Sequence, residues 1–239
     1  DSQVLSVPAD ASAAYRGTLS RVVDTGQYRS GDFHIHALPS PDSEDLLEMK
    51  VQAFVGEGLQ IAVSTDHDRL TDFAPTVSTL GLDRWLTTFI GDEISTNAKG
   101  HFNAFPLAFQ PMARNYGAVD WFGLTVPAIV EAAHKANAGD ELVQMNHPRG
   151  SSAYFNYIEF DPAVGDSRNA EEFTTKFDTI EVFNGKRKGD TPEVLQDWYS
   201  LLNRGVFIPA VGNSDSHTAA QKQEVGYPRT YVRFPGLNG

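Results

Sequence analysis

The sequence predicts an α/β fold with largely parallel strands, and three observations point there. Short apolar runs such as residues 59–65, 142–145 and 206–211 alternate with amphipathic stretches such as 44–56, 126–136 and 191–204. No internal repeat, low-complexity tract or linker breaks residues 31–234, so that span reads as one domain. Histidines and carboxylates recur where the apolar runs end, which is where βα folds carry their chemistry.

The elements follow in order. Residues 1–30 are small and polar and read as a lead-in that packs on the domain, with one strand expected at 15–23. A core strand at 32–36 holds Asp32-Phe33-His34-Ile35-His36. The break Leu38-Pro39-Ser40-Pro41-Asp42-Ser43 leads to a helix, with Ser43 as its N-cap, Glu44 and Asp45 in its first turn, and Gly56 and Gly58 at its end. A strand at 59–65 exits into Asp66-His67-Asp68. A short helix at 73–80 and a strand at 86–90 follow, the latter leading into Gly91-Asp92-Glu93. A strand at 100–105 can turn back on its neighbour, and the aromatic-rich residues 106–124 form a lid or wall. Thr125 caps a helix over 126–136, and strand 142–145 ends at Asn146-His147-Pro148. Residues 149–176 show little periodicity. Strand 177–183 exits at Asn184-Gly185, Thr191-Pro192-Glu193 starts a helix, and strand 206–211 exits into Asn213-Ser214-Asp215-Ser216-His217. A last strand is expected at 227–234.

Composition narrows the function. The chain has 239 residues, 41% hydrophobic and 21% charged, enough to bury a single large core. It has no cysteine, which excludes thiol catalysis, disulfides and cysteine zinc sites but leaves the compartment open. A net charge of −12 argues against a broad basic face, so no nucleic-acid partner is expected and a small-molecule substrate is. Bound divalent cations would offset part of that charge. No run of 18 apolar residues predicts a membrane span. The start at Asp1, without an apolar leader, is expected of a processed chain or a piece of a longer one.

Six of the seven histidines fall at strand exits. On a strand, His34 and His36 share one face, as do Asp215 and His217, which is how two side chains reach one metal ion. Asp66 and His67 are adjacent and face apart, so His67 is the candidate ligand and Asp66 a supporting or substrate-side acid. Glu93 is a candidate bridging carboxylate. His134 lies mid-helix and reads as a solvated or packed residue. A His/Asp/Glu set without cysteine suits Zn, Mn or Fe ions, and the residue types do not choose among them.

The ordered motifs H-x-H, T-D-H, a Glu followed by a His, N-H-P and S-D-S-H resemble those of the PHP (polymerase and histidinol phosphatase) superfamily of metallohydrolases, from Gly31 to about Arg233. S-P-D-S, N-H-P-R-G and G-Y-P-R-T-Y-V resemble its CehA/McbA-like branch, named for carbaryl hydrolase. The resemblance implies a distorted (β/α)7 barrel over residues 31–239, with a trinuclear centre at the C-terminal ends of the strands; two or three divalent ions are expected as cofactors. Its ligands would be His34, His36, Asp42, His67, Glu93, His101, His147, Asp215 and His217. Asp42 also reads as a turn residue, and Ser43 stands where the family commonly has Gly.

A metal-bridging hydroxide is the expected nucleophile. Arg149 is a candidate clamp for phosphate or carboxylate, with a loop salt bridge as the other reading. Asp66 or Asp68 is a candidate acid for the leaving group, with a turn role as the other reading. Asn184 is a candidate pocket residue, and Tyr154, Phe155 and Tyr157 either hold an apolar leaving group or anchor the loop. The expected activity is phosphoester hydrolysis. Carbamate, carboxylic ester or amide hydrolysis, and a non-catalytic metal-stabilised module of a larger surface protein, are the alternatives. The start and the resemblance together lean towards export from a bacterial cell.

Overall fold

The computed structural model describes residues 24–137, 139–218 and 224–234, with scattered positions ahead of residue 24. The strand expected at 15–23 lies outside the described residues. Strands β1 (Tyr28–Asp32), β2 (Ile61–Ser64) and β3 (Thr87–Ile90) alternate with helices α1 (Leu47–Gly56) and α2 (Ala74–Thr79). β4 (Asp92–Ser95) and β5 (His101–Phe105) precede α3 (Val126–Ala133), β6 (Leu142–Met145) and the short α4 (Tyr154–Tyr157). A small hairpin of β7 (Phe160–Asp161) and β8 (Asp166–Ser167) leads to β9 (Thr179–Asn184), α5 (Thr191–Asn203), β10 (Ala210–Asn213) and β11 (Thr230–Arg233).

The strands form two main sheets, ordered β11-β1-β2-β3 and β10-β9-β6-β5-β4. The βα units pair in parallel, β1 with β2, β2 with β3, β6 with β9 and β9 with β10. β11 on β1 and the β4-β5-β6 run are antiparallel. A mixed α/β fold is therefore present, and the largely parallel arrangement expected is corrected at those pairs. Among the described residues no sheet closes on itself. The two sheets instead meet at isolated bridges, Ile35 to Ser216 and His67 to Glu93; all but Glu93, which lies in β4, stand just beyond strand ends.

Gly91 makes the step from the first sheet to the second. A Cβ there would meet the carbonyl oxygens of Ala104 and Ser64, each at 3.0 Å, so a side chain at the crossing would push the two backbones apart by a few tenths of an ångström. β4 appears where an exit loop was expected, because pairing with β5 satisfies its backbone groups. Val51 and Phe54 of α1 pack with Phe73, Val77 and Ala62 against the first sheet. Ile129, Val130 and Ala133 of α3 pack with Phe102, Met145 and Ile180 against the second. Helix α1 starts later than expected. Its N-cap is Leu46, without a side-chain cap bond, and the Ser43 hydroxyl donates instead to the backbone oxygen of His217.

Candidate metal centre

His34 and His36 lie just beyond β1, on chain held extended by two inter-sheet bonds. The Asp215 N–H donates to His34 O at 2.9 Å, and the His36 N–H donates to Ser216 O at 3.0 Å. The two imidazoles share one side, with ring centroids 5.2 Å apart. His67 follows β2, Glu93 lies in β4, His101 opens β5, His147 follows β6, and Asp215 and His217 follow β10. Because β5 runs antiparallel, its first residue reaches the same end as the exits of its neighbours.

The ligating atoms form four overlapping groups, each within 4.8 Å: His36, Asp42, His67 and His217; His34, Glu93 and His147; His34, His36 and Asp215; and His67, Glu93 and His101. Every residue proposed as a ligand from the sequence falls in one of them, Asp42 included. Asp42 Oδ2 lies 2.9 Å from His217 Nε2 and 3.4 Å from His67 Nε2. Glu93 faces two groups with different oxygens. Oε1 lies 3.1 Å from His34 Nε2 and 3.2 Å from His101 Nδ1, while Oε2 lies 2.7 Å from His67 Nδ1. Both oxygens therefore face imidazoles, which the expected bridging role requires.

The donor set fits divalent cations. Four buried atoms of this cluster, His34 Nε2, His36 Nε2, Glu93 Oε2 and His147 Nδ1, make no well-aligned hydrogen bond among the described residues; the first three sit against other titratable atoms, at 3.1, 3.3 and 2.7 Å. A bound ion would satisfy such atoms. The opposite ring nitrogens are held. His34 Nδ1 lies 3.1 Å from Glu181 Oε1, and His36 Nδ1 lies 3.1 Å from Ser40 Oγ. This leaves Nε2 of each ring facing the centre. Asp215 and His147 have positive φ, 50° and 22°, strain of the kind that collects at functional sites.

Beneath the ligands lies a layer of polar side chains that sequence reasoning missed. Glu181 in β9 takes His34 Nδ1, the His147 N–H at 2.9 Å and the Asn213 amide at 3.0 Å. The Asn146 amide donates to Glu93 at 3.0 Å and to Asn103 at 2.7 Å, and Gln144 donates to Asn146 at 2.8 Å. The available signal was a lone carboxylate or amide inside an apolar strand, as in Ile180-Glu181-Val182.

Several expected roles are corrected. The Arg149 guanidinium forms a two-pronged pair with Asp197 of α5, at 2.6 and 2.7 Å, so it is not a free anion clamp. Asp66 is fully buried, and its carboxylate receives the Ala37 N–H at 2.8 Å and the Thr71 hydroxyl at 2.5 Å, so it is not an acid facing substrate. Asn184 donates to Asp215 at 3.0 Å and to Glu181 at 2.9 Å, and it lines a small cavity with His147, Glu181 and Arg149. Tyr154 and Phe155 are buried in the core, with the Tyr154 hydroxyl bonded to the backbone of Glu172 and Thr174. The Tyr157 hydroxyl donates to Glu172 Oε1 at 3.0 Å, which makes it a loop anchor. Asp68 sits beside His67 at the half-buried rim, and its Oδ1 receives the Ser95 N–H at 3.1 Å and Trp121 Nε1–H at 2.7 Å. His134 pairs with Asp178 at 2.8 Å, apart from the cluster.

Charge within the cluster is strongly coupled. Burial above all, with His217 nearby, pushes His36 down to about 3, which keeps it neutral. Burial also works against a charged His67, but Asp42 and Glu93 outweigh it and lift the residue to about 10. Burial would raise Glu93, Asp215 and Asp42, yet facing imidazoles hold all three below the usual carboxylate range. Protons on these imidazoles thus balance charge that metal ions are suited to balance. A cavity of about 600 Å³ beside α5, lined by Leu195, Tyr199 and Arg204, contains no histidine and lies outside this chemistry.

No protein-family model matches the chain, and no curated protein matches it. Solved structures do. One is a two-domain protein from Bacteroides vulgatus containing a predicted PHP-like metal-dependent phosphoesterase, with TM-score 0.56, 22% identity, and coverage of 88% of this chain and 59% of that one. Endonuclease Q from Pyrococcus furiosus matches with TM-score 0.56, 15% identity, and coverage of 88% of this chain and 54% of that one. Endonuclease Q has also been solved with a 27-mer duplex carrying an abasic lesion at the active site; that complex covers 88% of this chain and 55% of its own, with TM-score 0.56 and 15% identity. The chain shares the fold of these proteins and spans somewhat over half of their length. Because a protein of this fold binds DNA, the acidic balance of the sequence does not by itself exclude a nucleic-acid partner.

Proposed function

We propose that the chain is a divalent-metal-dependent hydrolase of the PHP superfamily acting on phosphoesters. One observation carries this reading: six imidazoles and three carboxylates converge on one centre, several of their buried atoms lacking a well-aligned hydrogen bond. The likeness to PHP-like phosphoesterases and to Endonuclease Q supports it. The bridges between the sheets are consistent with a distorted (β/α)7 barrel whose seams lie at the ligands.

His34, His36, Asp42, His67, Glu93, His101, His147, Asp215 and His217 would hold two or three Zn, Mn or Fe ions. When bound, such ions acidify water towards neutrality and neutralise charge that develops on a phosphoryl oxygen. Glu181 and Ser40 fix ring orientation, and the amide layer fixes Glu93. Asp68 is the acid placed for the leaving group, because it stands at the rim and burial raises its carboxyl. Substrates include monoesters and diesters, nucleic-acid diesters among them.

The test is turnover by protein loaded separately with Zn, Mn and Fe on an aryl phosphomonoester, a phosphodiester, an abasic-site duplex and an aryl carbamate. Phosphoester turnover lost in His36→Ala supports the reading. Carbamate turnover alone would move the chain to the carbaryl-hydrolase type, and full activity after chelation would refute a metal mechanism.

A further inference from the structure

Lys186 follows β9 in the run Asn184-Gly185-Lys186-Arg187-Lys188. Its ammonium stands 3.3 Å from Nε2 and 3.4 Å from Nδ1 of His217. The turn beneath it is tied to the centre. The Lys186 N–H donates to Asn184 Oδ1 at 2.9 Å, and the Asn184 amide holds Asp215. Gly185 is pressed against the chain, since a Cβ would fall 2.5 Å from Ser214 O and 2.6 Å from Tyr227 O. A fixed backbone therefore carries a long, exposed side chain to the edge of the ligand cluster.

The neighbouring cations are engaged elsewhere. Arg187 donates to Ser151 O at 3.0 Å, Lys188 pairs with Glu224 at 3.3 Å, and Arg149 pairs with Asp197 at 2.6 Å. Lys186 has only His217 as a side-chain partner among the described residues. His217 Nε2 also faces Asp42, one of the proposed ligands. A divalent cation held there would repel an ammonium 3.3 Å from the same nitrogen. The four-carbon stem is long enough to carry that ammonium to the rim, where Asp42 is 46% exposed and His67 and His101 are each 18% exposed.

Resting on the phosphoester reading, we infer that Lys186 is a substrate-binding residue, and that its ammonium takes a non-bridging oxygen of the phosphoryl group. Lysine suits this role as a mobile point charge. The alternative is that Lys186 merely fills in for a cation against His217, in which case its removal changes metal content and not anion binding.

The experiment compares wild type, Lys186→Met and Lys186→Arg. It reads metal content by elemental analysis, binding of inorganic phosphate to metal-loaded protein by calorimetry, and kinetics on an aryl phosphomonoester and a neutral aryl carbamate. The expected result is unchanged metal content, phosphate binding weakened by about 10–100-fold in Lys186→Met, and partial recovery in Lys186→Arg. KM for the phosphomonoester should rise by a similar factor, with any carbamate turnover unaffected. Equal phosphate affinity in wild type and Lys186→Met, absence of phosphate binding by the wild type, or loss of metal in the variant each overturns the assignment. Lysine-dependent phosphate binding without turnover of any ester would instead count against the hydrolase reading alone.

Discussion

Two oxygens at Glu181 meet four demands: two side chains on Oε1, and the His147 N–H and the Asn184 amide on Oε2. Carboxylates that orient a ligating imidazole typically carry 10–100-fold in metal affinity. Glu181→Gln should lose about that much in a metal titration while the protein stays folded. The residues of the cluster were legible in the sequence because imidazoles seldom gather at strand exits without a reason. Glu181, Asn103 and Gln144 were not, because one polar side chain in an apolar strand has no period to betray it. Arg149 shows the reverse failure. Its place after His147 suggested an anion clamp, whereas the partner that claims it lies far along the chain in α5. Asp197→Ala leaves the Arg149 guanidinium with only Phe160 O at 3.1 Å and Glu193 at 3.5 Å, and should cost about 1–3 kcal/mol, read as a lowered Tm. The folded fraction should still bind metal.

Among the elements, β6 lies at the residues its apolar run marks, 142–145, because it is a central strand bounded by polar residues. Helix α1 was misread at its start. Ser43-Glu44-Asp45 has the chemistry of a helix cap, but Ser43 is drawn to His217, which no local pattern encodes. The same helix carries a buried lysine. Lys50 Nζ donates to Ser216 O at 3.2 Å and pairs with Asp45 at 3.3 Å, which ties α1 to the residue between two ligands. Lys50→Met should therefore lower metal affinity without removing any ligand, a result that a metal titration beside a melting curve will separate from simple unfolding. Trp121 links the 106–124 segment to Asp68 in a similar way, while Met112 and Phe122 of the same segment are exposed.

For the whole molecule, alternation of elements was enough to indicate an α/β fold, but the division into two sheets was not, since Gly91 and the two inter-sheet bridges depend on contacts distant in sequence. Charge in the centre sets a pH dependence for metal-free protein. His67, raised to about 10, contributes stability that is full below 6.5 and is lost as pH rises through about 10. Asp92 is buried and pushed up to about 8, so keeping it folded costs more as pH rises from 3.8 to 8. Glu93 and Asp215, both depressed, contribute above their ordinary values and lose that contribution on acidification. Melting temperature without metal should thus peak at mildly acidic pH. Metal affinity should climb with pH because binding displaces protons, and calorimetry in buffers of different ionisation enthalpy will count them. Metal at a thousandfold above its Kd should add about 4 kcal/mol, or roughly 10 °C in Tm.

The bridge from Ile35 to Ser216 joins the opening of the described chain to its closing part. A ribosome has released His34, His36 and His67 long before Asp215 and His217 emerge, so the nascent polypeptide offers only fragments of a binding set. Only the proposed groups that include Asp215 or His217 would have to wait for β10; His34, Glu93 and His147, and His67, Glu93 and His101, would be available earlier. A chelator present during refolding should leave the early collapse of the sheets unchanged in rate and remove only the final gain in durability.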